Sequence, residues 1–144
     1  MADRERDIRL FERAAKQRLE AALFLFNHGF NLDAVYLAGY VVECALKALI
    51  LKWTPRNDFR AVLAKLTEAG ARGHDFVYLK DLLKERRGKR GAKDKGVFDT
   101  LAENLRIVDT WSTALRYQVG VLKKKHAAHF LKATEAIQDW CLRG

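Results

Sequence analysis

Two charges stand inside the most apolar stretch of the chain. Glu43 and Lys47 lie four residues apart within NLDAVYLAGYVVECALKALILKW, residues 31–53. On a helix this spacing puts both on one face, acid first, the order in which such pairs attract best. Buried ions lose their hydration, so each must be paired or hydrogen-bonded. Arg116 and Tyr117 interrupt a second mostly apolar region and are the expected partners that complete Glu43. Two chemistries are open: a structural polar knot, or a site between helices that holds a phosphate or a nucleotide.

His126 and His129 form the other constellation, three residues apart in HAAH. A metal centre needs three or four ligands. The chain has no HExxH and no cysteine cluster, so no metal and no cofactor is expected. The histidines either border the core or do acid–base work on RNA. In that second case a His moves the proton and Arg116 stabilises charge developing on the phosphorus. Arg116, His126 and His129 are therefore catalytic candidates only. His74-Asp75 precedes an apolar-periodic segment, where Asp75 reads as a helix N-cap. Ser112 is the sole serine and has no triad pattern around it. Neither a Walker A loop nor a Rossmann fingerprint is present.

The elements that must position these residues are helices. Apolar residues recur at three- and four-residue steps, and the chain has a single proline. Ile8, Phe11, Ala15, Leu19, Ala22 and Phe26 mark a first helix over about 3–27, ended by Gly29. The second helix is capped by Asn31 and stopped at Thr54-Pro55. It is apolar nearly all round, which fits a central core helix or a membrane span. Lys47 at mid-bilayer would cost roughly 2.5–3.5 kcal/mol, so the core helix is expected and no membrane partner. Asp58 should cap a third helix, and a short fourth should run from Phe76 to about Arg86. A fifth starts at Val97, a break falls at 109–117, and a last helix spans about 118–142. The expected fold is all-α, an antiparallel up-and-down bundle of about five to six helices in one domain over 1–144.

KERRGKRGAKDK, residues 84–95, holds seven basic and two acidic residues, so it carries +5 of the chain's formal +9. Its glycines and lack of large apolar residues predict a basic loop over 84–96, with Arg86, Arg87, Lys89, Arg90, Lys93 and Lys95 as a patch. Such a loop is either a solvated connector or an arm for phosphates. With 27 Lys and Arg against 18 Asp and Glu, an acidic partner fits the chain as a whole. Cys44 and Cys141 are far apart and read as reduced, buried thiols. The charged N-terminus has no apolar signal core, which points to the cytoplasm.

AVYLAGYVVECALKALILK, then GHDFVYLKDLL, then LRY before a final helix ending AIQDW, resembles the HEPN domain family (higher eukaryotes and prokaryotes nucleotide-binding). The resemblance implies a helical bundle that commonly homodimerises and acts on or near nucleic acid. Many members are metal-independent endoribonucleases. Some are toxins paired with a nucleotidyltransferase antitoxin. The nuclease motif is an Arg, four to six residues, then a His near the last helix. Here nine residues separate Arg116 from His126. The resemblance therefore implies a module that binds a nucleotide, nucleic acid or an antitoxin-like partner, and it does not carry the enzyme over. The alternatives are a divergent ribonuclease of the toxin type and a structural dimer without a ligand.

Overall fold

Helix formation in this chain follows the apolar stripes, and the fold is an all-α bundle. The structure, a computed structural model, describes residues 2–68, 70–90 and 95–144; within these, the side chains of 2, 71, 72, 88–90, 95–97 and 116 fall outside the description. The order is α1 (Ala2–Asn27), α2 (Asn31–Lys52), a 3-10 turn (Arg56–Asp58), α3 (Phe59–Thr67), a second 3-10 turn (Gly70–His74), α4 (Phe76–Arg90), α5 (Lys95–Val108), a third 3-10 turn (Thr113–Tyr117) and α6 (Lys124–Arg143). No strand occurs among the described residues.

Helix α2 is the axis of the bundle, with α1, α6 and α4 packed around it. It is long and apolar enough to cross a membrane, yet 78% of that window is buried inside the protein. Leu46, Leu49, Ile50 and Leu51 are fully buried, each worth about 1.5–3 kcal/mol relative to an exposed side chain. Ala34, Ala38, Ala45 and Ala48 are buried too, and such small residues let neighbouring backbones approach. From α1, Ile8, Ala15 and Ala22 face inward at seven-residue steps. Gly39 carries the closest approach. A Cβ there would stand 1.9 Å from Cε2 of the Trp111 indole, so only glycine admits this ring. Trp111 then donates from Nε1 to the Tyr36 carbonyl at 3.0 Å.

Several helix ends differ from the sequence expectation. Asn31 does not cap α2: its amide donates from Nδ2 to the Leu122 carbonyl at 3.0 Å, which ties the start of α2 to the segment before α6. Asp58 makes no capping bond and instead faces Arg86 at 3.7 Å. The last helix begins at Lys124 rather than near Gln118. Val119, Gly120 and Val121 are poor helix formers, and both valines are exposed, so no burial offsets their low propensity. Asp75 does cap, accepting at Oδ1 from the backbone N–H of Val77 at 2.9 Å and Tyr78 at 3.4 Å.

The basic segment is the largest correction. Its composition predicts a loop over 84–96, but α4 continues to Arg90 and α5 starts at Lys95. Lys, Arg and Glu are good helix formers, and Arg86 falls three residues after Leu83 on the buried stripe. Arg86 is only 5% exposed and pairs with Glu85 at 2.9 Å. Arg87 lies over the Phe98 ring, 5.0 Å from its centroid. Arg86 is thus buried rather than part of a solvated patch, and Arg87 is half-buried. The side chains of Lys89, Arg90 and Lys95, and the whole of Lys93, lie outside the described residues.

A buried charge cluster beside a cleft

Glu43 and Lys47 project from the middle of α2, which is why both are buried, at 6% and 5% exposure. Withdrawing each ion from water costs several kcal/mol, so the geometry around them must compensate. Lys47 Nζ donates to Glu43 Oε2 at 2.9 Å. The same ammonium lies 6.0 Å from the centroid of the Phe11 ring, supplied by α1. The second carboxylate oxygen is taken by His74, whose Nδ1 stands 2.6 Å from Oε1. A carboxylate only accepts, so Nδ1 carries the proton and the remaining ring nitrogen, Nε2, is left to other partners.

His74 is thus a partner of Glu43 that the sequence reading does not assign to it. It comes from the 3-10 turn between α3 and α4. Gly73 lets that turn lie close: a Cβ on it would meet the Leu66 carbonyl at 3.1 Å and Lys47 Nζ at 3.5 Å. Asp75, capping α4, fixes the residue just after. Tyr117 is 76% exposed on the third 3-10 turn, and the Arg116 side chain lies outside the described residues. That turn still reaches the site, through Thr113.

The cluster opens into a cleft of about 450 Å³, lined by Tyr40, Lys47, Thr67, Gly73, His74 and Thr113 among others. The His74 side chain is 41% exposed, whereas Glu43 and Lys47 are 8% and 6%. An aromatic group backs this wall. Tyr40 meets His74 edge-on, with centroids 6.2 Å apart, and meets Trp111 edge-on at 5.1 Å. Trp111 stacks on Phe76 at 5.2 Å, and Tyr36 and Tyr40 join hydroxyls at 3.2 Å. Tyr40, Trp111 and Thr113 carry no motif that marks them in the sequence. Only the invitation of Gly39 to a large neighbour could have pointed to Trp111.

His126 and His129 sit apart from the cluster, exposed on the first turns of α6. They border a second cleft, about 410 Å³, walled by Trp111, Leu115, Leu122 and Phe130. Among the described residues no group of three or more His, Cys, Asp or Glu could hold a metal ion.

The class of fold is an all-α bundle with an ion pair buried on its central helix. Residues 8–56 match the model of the HEPN domain family, to which this part of the chain is similar. The matched stretch runs from α1 through α2 to the first 3-10 turn, so it contains Glu43 and Lys47 but not His74. No curated protein and no solved structure matches the chain.

Proposed function

We propose that the chain is a HEPN-like binding module that takes the phosphate-bearing part of a nucleotide in the cleft beside Lys47 and His74. The observation that carries this is a single buried carboxylate shared by two cation-forming side chains on the wall of an open cleft. Lys47 answers the charge of Glu43. His74, hydrogen-bonded to the same carboxylate through Nδ1, presents the rest of its ring to the cleft, next to the Lys47 ammonium. Thr113 adds a hydroxyl to the wall, while Thr67 already donates its own to the Leu63 carbonyl at 2.9 Å. The formal charge of +9 draws anions from a distance.

His74→Ala is the informative variant, because it leaves the Glu43–Lys47 pair in place. Titration with ATP, read by calorimetry, is expected to show affinity at least about tenfold weaker, equal to 1.4 kcal/mol, in the variant. Equal affinity in both proteins overturns the proposal. The HEPN resemblance further implies a homodimer and, as for some members, a nucleotidyltransferase antitoxin as partner. A ribonuclease reading has one observation behind it: two exposed histidines at the rim of an apolar cleft. It requires RNA cleavage that is lost in His126→Ala and in His129→Ala; cleavage surviving both removes it.

A further inference from the structure

A third concave surface lies at the other end of α3. It is a cleft of about 290 Å³ lined by Arg4, Arg6, Arg56, Arg60, Asp3 and Asp7, with Phe59 and Leu63 at its base. Four guanidinium groups face two carboxylates. One of these, Asp3, is paired with Arg6 at 3.2 Å, an exposed and weak contact. Arg4 is held firmly. Its Nη2 donates to the carbonyls of Lys52 at 3.1 Å and Thr54 at 3.3 Å, past the end of α2. Its guanidinium lies 5.6 Å from the Phe59 ring centroid. Its Nε is buried without a hydrogen-bond partner. Arg60 is exposed. Guanidinium forks match phosphate oxygens in pairs, and they are the groups that recognise such ligands best.

Helix α3 links this cleft to the one beside His74. Arg60 and Leu63 line the arginine cleft, and Thr67 lines the other. Positions 60, 63 and 67 fall on one stripe, since seven residues are almost two full turns. The rise from Arg60 to Thr67 is about 10 Å at 1.5 Å per residue. A mononucleotide seated by His74 does not need a second basic cleft at that distance. A strand with repeated phosphates does.

We infer that the arginine cleft of Arg4, Arg6, Arg56 and Arg60 is a second anion site, which holds the phosphodiester backbone of a single-stranded nucleic acid running along α3. This rests on the phosphate reading of the His74 cleft and extends it from a nucleotide to a strand. The test compares ATP with an oligouridylate of about twelve nucleotides, within the usual span of a single-strand site. Both are titrated into the wild-type protein, His74→Ala and the double variant Arg56→Gln/Arg60→Gln, at several salt concentrations. The double variant is expected to bind oligouridylate several-fold more weakly and to bind ATP as the wild type does. Its log–log salt slope should be shallower by about 0.7 for each phosphate that no longer meets an arginine. Unchanged oligouridylate affinity and slope in the double variant overturn the inference, as does a wild type that binds no oligouridylate. If the wild type fails to bind ATP but its oligouridylate binding depends on Arg56 and Arg60, the nucleotide reading falls and the arginine site stands.

Discussion

At the residue scale, the decisive feature is that Glu43 satisfies two partners at once. The i, i+4 spacing makes the Lys47 pairing legible in the sequence, because helix geometry alone brings those side chains together. The pairing with His74 is not legible. It joins residues thirty-one positions apart, and the second lies in a glycine-bounded turn with no periodicity to place it. What the sequence does contain is the demand: a buried carboxylate has two oxygens, and Lys47 takes only one. Arg116 and Tyr117 answer that demand only by interrupting an apolar run, a weaker signal than a glycine able to admit a turn. The energetic consequence can be measured. Glu43→Gln leaves Lys47 buried with no counter-charge, and urea unfolding should show a loss of about 3 kcal/mol. Adding Lys47→Met removes the stranded charge while keeping the side-chain bulk, so the double variant should recover most of that loss. A double variant no more stable than Glu43→Gln would mean that the pair is not the reason the single change is costly.

At the element scale, α4 shows where composition misleads and periodicity does not. Read by composition, KERRGKR is a basic loop. Read by register, Arg86 follows Leu79, Leu82 and Leu83 on one face, and it is buried there. The long aliphatic stem of arginine suits such a position, and the charged head reaches the helix end where Asp58 stands. The start of α4 matters more for the site. Asp75 caps the helix through Val77 and Tyr78, and the residue before it is His74. Loss of the cap should therefore be felt twice. Asp75→Ala is expected to cost about 1 kcal/mol of stability, and ATP binding should weaken with it because the turn holding His74 loses its anchor. Asp75→Asn keeps an acceptor oxygen and should restore both. Stability that falls while ATP affinity stays fixed would show that the cap supports α4 alone.

At the scale of the whole molecule, the bundle closes around α2, and both cysteines record that closure. Cys141 sits where α1, α2 and α6 meet, against Ala15, Ala45 and Ala48. Burial pushes its thiol from 9.0 up to about 12, with Lys52 opposing slightly. Cys44, on α2 itself, is pushed up to about 11, by burial first and then by the charge of Glu43. A raised thiol stays protonated in the folded chain after the unfolded chain has lost its proton. Between pH 9.0 and about 12 the unfolded state thus binds fewer protons at Cys141, and stability falls as pH rises through that window. Below it both states hold the proton, and the contribution to pH dependence vanishes. The fall approaches about 1.4 kcal/mol per pH unit for one thiol. Lysines and tyrosines titrate over the same range, so the comparison must isolate one group. Urea unfolding at about pH 8 and about pH 10.5 should show the wild type losing roughly 2 kcal/mol more than Cys141→Ala between the two. The alanine variant will start lower, because removing the sulfur leaves a small cavity, but that offset does not change with pH. Equal losses in the two proteins would mean that the thiol at the junction of α1, α2 and α6 is open to water, and that the bundle is looser there than its packing shows.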